Sequence, residues 1–359
     1  MSEQSNSQQS NLQHSIPPFP GFSSREETEA FLKQKPELWE IFNQLPDKMR
    51  QDFYHFFTGT KGLPVTLDTV FQHVFNPTKN RARLGALLSA MMGRKVRIID
   101  ILPREGTQLN EQGSFVIMDA LVQLDDNSYA NVEMQKLGYQ FPLARADCYA
   151  ADIIMRQYNT AKNRLKKKFK FRDLEKVYCI ILMEQSPMEF HKVPNVYRHR
   201  RKAVFDTGIY RDNSGLHEDL FICLDSFRSI VHTITKDSSL QEAWLTFLSA
   251  TDVETILALL QAFPSFAEIY QEITDFMTDP EELMNMLSKE LYIMDRNEER
   301  MMVTKLQEEV EAAKAEAEAA KGEAKSAKAE RDAVMSENRS LIDKNAKLLA
   351  WAKEHGYQE

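Results

Sequence analysis

Phe115-Val-Ile-Met-Asp119-Ala-Leu-Val122, the cluster Asp125-Asp-Asn-Ser128, and Ala130-Asn-Val-Glu133-Met-Gln135 form the stretch whose reading decides the fold. Two apolar runs flank a turn-forming cluster, which predicts strands over Phe115–Leu124 and Tyr129–Leu137. Side chains alternate faces along a strand, so Glu133 and Gln135 share one face while Val132 and Met134 take the other. Asp119 interrupts its apolar strand, and a carboxylate there is costly unless it is paired or holds a metal. Two carboxylates on neighbouring strands, with a polar side chain beside them, suit a hard divalent cation such as Mg²⁺. Opposed residues of an antiparallel hairpin point the same way, so convergence needs an odd-residue loop or a one-residue bulge. A three-residue loop over Asp126–Ser128 would pair Asp119 with Gln135.

Working outward, the order of elements is helix, helix, strand, strand, strand, helix, strand. Asp68–Phe75 carries apolar residues at helical spacing, and Asn80–Met92 continues as a second helix ended by Gly93. Val96–Leu102 reads as a strand stopped by Pro103. Pro142–Ala161 reads as a long amphipathic helix with proline in its first turn. The continuous apolar run Val177–Met183 predicts a buried strand, and Leu220–Leu224 adds a further candidate. Upstream, residues 1–20 are rich in Ser, Gln and Asn and are expected to be disordered. Residues 21–60 read as a helical preface in which Ser24 and Glu27 have capping-box spacing. The organisation expected is therefore a core over 61–235, a helical region over 236–300 and a coiled coil over 301–355.

The motif order resembles the PD-(D/E)XK nuclease superfamily, and within it the recombination-promoting nucleases, also called putative transposases. The matching pieces are Asp68-Thr-Val-Phe71-Gln-His-Val-Phe75, the apolar strand ending at Asp119, Val132-Glu133-Met134-Gln135, and Arg145-Ala-Asp-Cys-Tyr149. The resemblance implies an α/β restriction-endonuclease-like core, a mixed sheet flanked by helices. It implies a DNA endonuclease dependent on Mg²⁺ or another divalent cation, with Asp119 and Glu133 as metal ligands. Gln135 then stands where the motif has its lysine, and Asp68 is a supporting acid. The chain departs from the family pattern at Gln72 and at Gln112-Gly113-Ser114, where lysines are common. A second reading keeps the fold as a DNA-binding or interaction protein without turnover. A third makes the chain a scaffold centred on its coiled coil.

The remaining residues bound these readings. The net charge is −8, yet between Arg156 and Lys202 fourteen Lys and Arg face four Asp and Glu. Such a stretch is an electrostatic footprint for a polyanion such as DNA, with Lys166, Lys167, Lys168 and Lys170 at its centre. The alternative is a solvated basic helix end favoured by the helix dipole. Arg145 and Tyr149, four apart on one helix face, either serve phosphate or a catalytic carboxylate, or pair structurally with a neighbour such as Asp68. His191 and His199 lack metal-ligand spacing and read as exposed or locally bonded. Three dispersed cysteines argue for free thiols, two of them in apolar contexts. No segment resembles a signal peptide or a membrane span, so a cytoplasmic location is expected. From Val303 to Ala352 apolar residues and alanines recur three and four apart. With Val303 at a, Asn338 and Asn345 fall at a while Leu341 and Leu348 fall at d, which favours a parallel two-stranded coil and a homodimer. A single long helix held by Glu and Lys pairs is the competing reading.

Overall fold

The structure, a computed structural model, describes residues 19–103, 120–138, 141, 143–209, 215–354 and 356. Asp119, most of residues 1–20 and Gln112-Gly113-Ser114 therefore lie outside the described residues. The chain divides into two units, one ending at Leu291 and one running from Tyr292 onward.

The first unit opens with three helices, α1 (Arg25–Leu32), α2 (Pro36–Gln44) and α3 (Asp47–Phe57). The α1 start carries the predicted cap, because Ser24 Oγ accepts from the Glu27 amide at 3.3 Å. Glu27 reaches back one residue further than the capping box requires, accepting from the Ser23 amide at 2.7 Å. Pro36 occupies the first turn of α2, where its missing N–H is harmless. Leu38, Phe42, Phe53, Phe56 and Phe57 from these helices are buried, which gives the preface its own aromatic core.

Next come α4 (Asp68–Val74), α5 (Arg81–Met92), β1 (Ile98–Ile101), β2 (Ala120–Leu124), β3 (Tyr129–Leu137) and α6 (Leu143–Leu165). Gly93 ends α5 at φ +69°, the left-handed geometry expected of a helix C-terminal glycine. They are followed by β4 (Val177–Gln185), α7 (Met188–His191), β5 (Arg198–Lys202), β6 (His217–Cys223) and α8 (Leu224–Ile230). The described strands form one mixed sheet in the order β1-β2-β3-β4-β6-β5. The β1–β2–β3 meander is antiparallel, and β3, β4 and β6 are parallel to one another. A parallel neighbour requires a crossover, which α6 supplies between β3 and β4. Cys179, Ile181 and Met183 of β4 bury one sheet face against Ala146, Tyr149, Ala150 and Ile153 of α6. On the opposite face, Glu184 of β4 accepts a 2.5 Å hydrogen bond from Thr66, just ahead of α4.

The helices α9 (Leu240–Ser249), α10 (Val253–Ala262) and α11 (Phe266–Thr278) follow, and α12 (Pro280–Glu354) begins in the first unit. Ser239 and Glu242 build a complete capping box at α9. Its residues Ala243–Ser249 are all buried, so this helix is enclosed on every side. Trp244 and Phe247 pack on Phe75, with ring centroids 5.8 and 6.3 Å away. Glu290 of α12 is buried and accepts hydrogen bonds from the backbone and hydroxyl of Thr69 in α4. The helices α9, α10 and α11 and the first residues of α12 are thus built into the first unit. No helix among the described residues is long and apolar enough to cross a membrane.

Candidate active site

The β2–β3 hairpin has a three-residue loop, as expected, but displaced by one residue from the expected span. Leu124 N–H donates to Ser128 at 2.8 Å, so the loop is Asp125–Asn127. Asn127 closes it at φ +67°, a conformation asparagine tolerates better than most side chains. The Asp126 carboxylate braces the turn by accepting from the Ser128 amide at 3.1 Å. Ala120 then pairs with Val132 and Leu121 with Asn131. The pairing is therefore two residues away from the register expected, with the parity preserved.

On β3, Asn131, Glu133 and Gln135 pair with Cys179, Ile181 and Met183 of β4. Paired residues of neighbouring strands share a face, so all three polar side chains lie on the α6 side of the sheet. Glu133 is only 2 % exposed, Gln135 is half-buried and Lys136 is exposed. The row therefore opens toward the C-terminal end of β3. Asn131 Nδ2 donates to Glu133 Oε1 at 3.0 Å, while Asn131 Oδ1 is buried with no hydrogen-bond partner among the described residues. A buried oxygen lacking a donor, beside a buried carboxylate, is a donor set that fits a hard cation. Sequence reasoning missed Asn131, although the same alternation that joins Glu133 to Gln135 includes it.

The expected supporting residues fall in three places. Arg145 Nε donates to the Tyr149 hydroxyl at 2.6 Å, and its guanidinium lies over the rings of Phe141 and Tyr149. Tyr149 is buried against the sheet in the same cluster as Cys179 and Ile181. Asp68 is the half-buried first residue of α4, next to the bond from Thr69 to Glu290. Lys166, Lys167, Lys168 and Lys170 are exposed just past the far end of α6. At 1.5 Å rise per residue, Lys166 is roughly 30 Å along the helix from Arg145. The interleaved Phe169 and Phe171 pack on Tyr158, with centroids 5.3 and 6.2 Å away.

A second group of possible ligands was not anticipated. Asp147 of α6 and His217 and Asp219 of β6 offer ligand atoms within 4.8 Å of one another. Arg201 of β5 bridges the two carboxylates, with Nε 2.5 Å from Asp219 and Nη2 2.6 Å from Asp147. Burial works against the guanidinium charge, but the bonds to Asp219 and Asp147 outweigh it and raise the Arg201 pKa. A cation at this spot would have to displace that guanidinium. Burial, reinforced by the nearby Asp219 and Glu133 charges, pushes the Cys179 thiol well up. Cys179 and Cys223 are buried and Cys148 is exposed, all as free thiols. The two histidines are locally engaged, His191 with Ser186 at 2.9 Å and His199 edge-on to Phe190.

The family model for PD-(D/E)XK nuclease family transposases matches residues 65–300. No curated protein and no solved structure matches the chain.

Proposed function

Because this chain belongs to the PD-(D/E)XK nuclease family of transposases, we propose that it is a DNA endonuclease of the recombination-promoting type, dependent on Mg²⁺ or another divalent cation. The observation that carries the proposal is the β3 row, where Glu133 and Asn131 Oδ1, with no partner among the described residues, lie together on one face. In the sequence Asp119 directly precedes Ala120, whose partner Val132 is the neighbour of Glu133. Asp119 and Glu133 would hold the cation. When bound, it supplies Lewis-acid stabilisation of charge on the phosphodiester and activates water.

The chain's own groups do the rest. Gln135, an uncharged amide, orients water or phosphate by hydrogen bonding, and contributes no charge of its own. Arg145, held by Tyr149 and stacked on Phe141, presents a fixed guanidinium for a phosphate. Asp68, expected as a supporting acid, heads α4 beside Thr66, whose bond to Glu184 lies on the sheet face opposite the Glu133 row. Lys166, Lys167, Lys168 and Lys170 meet DNA backbone away from the scissile bond. The protein acts in the cytoplasm as a homodimer joined by its tail.

The burial of Glu133 favours a second reading, a protein that keeps the fold and binds DNA without turnover. Incubating plasmid and Mg²⁺ with wild type and with Asp119→Ala separates the two. Nicking or linearisation by wild type alone is the expected result. Equal binding by both proteins, with the plasmid intact in each case, establishes the second reading.

A further inference from the structure

The exposed face of α12 carries a code for its own partner. Every residue from 312 to 351 is exposed, including Val334, Leu341 and Leu348 at 49–63 %. With Val303 at a, the g positions Glu309, Glu316 and Glu323 are all acidic, and the e positions Lys314, Lys321 and Lys328 are all basic. We infer that a second copy of this chain covers the seam in a parallel, in-register coiled coil, its orientation fixed by these two charge rows. The inference rests on the dimer proposed above and assigns its geometry.

In a parallel pair each g residue meets the e residue of the following heptad on the other chain. Glu309 then meets the partner's Lys314, Glu316 the partner's Lys321 and Glu323 the partner's Lys328. Two-fold symmetry doubles these three contacts. In an antiparallel pair g meets g and e meets e, which sets glutamate against glutamate and lysine against lysine. Within one chain Lys321 pairs with Glu318, but both side chains are 74 % exposed and such a pair contributes little that an interchain partner cannot replace. The register has a second determinant. In register, Asn338 and Asn345 each face their own counterpart, whereas a one-heptad slip sets one asparagine against Arg331 or Ala352. Alanine at most central a and d positions lets the two backbones approach closely, which brings the charge rows within reach.

The test uses the full chain with the exposed Cys148 replaced, as Cys148→Ser with Ala352→Cys. Ala352 is an a position near one end of the seam, so only a parallel in-register pair brings the two new thiols together. Expected is a dimer by light scattering that converts mostly to a disulfide-linked dimer on mild oxidation. A dimer that does not cross-link overturns the parallel register, and a monomer overturns the pairing. Lys314→Glu with Lys321→Glu and Lys328→Glu should weaken dimerisation at least tenfold at low salt, and an unchanged dissociation constant contradicts the charge code. None of these readouts depends on DNA cleavage, so a failed nuclease reading leaves them unaffected.

Discussion

Glu133→Gln is expected to lower Mg²⁺-dependent plasmid cleavage on the order of a thousandfold while leaving the melting temperature unchanged or higher. The rate falls because a neutral amide holds a divalent cation far less tightly than a carboxylate, and a metal contributes several kcal/mol at about 1.4 kcal/mol per tenfold. Stability does not fall, for a separate reason. Glu133 is 2 % exposed, and burying a carboxylate is costly even when it is bonded. Glutamine has nearly the same shape, and its carbonyl can still accept from Asn131 Nδ2. Loss of activity with retained or increased stability marks a residue kept for chemistry. A lower melting temperature with cleavage unchanged would mark Glu133 as structural.

Phe247→Ala should have the largest effect on stability, about 3–5 kcal/mol, the range for emptying a fully buried aromatic site. Phe247 has no exposed surface and packs on Phe75, Trp244, Phe266 and Tyr270. Its contact with Phe75 joins α9 to α4, so the loss should be shared by the whole first unit. One cooperative thermal transition, lowered by roughly 10 °C, is expected by calorimetry. Two transitions, with only the smaller one moved, would show that the helices beyond residue 236 fold independently. The family match, which continues to residue 300, agrees with a shared core.

The apolar elements were legible in the sequence because burial leaves a periodic trace. Tyr129–Leu137 was read to the residue, and the expected Val177–Met183 strand extends two residues to Gln185. The long helix begins at Leu143 and runs to Leu165, past the expected Ala161, because the amphipathic signal fades where lysines and arginines take over. Strand β5 escaped notice because Arg198-His-Arg-Arg-Lys202 has no apolar alternation. It lies at the sheet edge, where charged side chains discourage pairing with other chains. Alternation alone places Glu133 and Gln135 on one face; Asn131 obeys the same alternation, but nothing local in the sequence marks its neutral amide as buried beside the carboxylate. The Asp147, His217 and Asp219 group joins residues seventy positions apart. Its one local trace was the His-x-Asp spacing of a strand, and its meeting with α6 depends on the crossover. The hairpin register shifted because Asn127, not Ser128, adopts the left-handed conformation that closes the loop.

The measurement that tests the account most directly is Mn²⁺ binding, by calorimetry or electron paramagnetic resonance, to wild type, Glu133→Gln and Asp219→Asn. If the β3 row holds the cation, binding is lost in Glu133→Gln and kept in Asp219→Asn, whose carboxylate already serves Arg201. Undiminished binding in Glu133→Gln, with loss in Asp219→Asn, would move the metal to the Asp147, His217 and Asp219 group and contradict the proposed site.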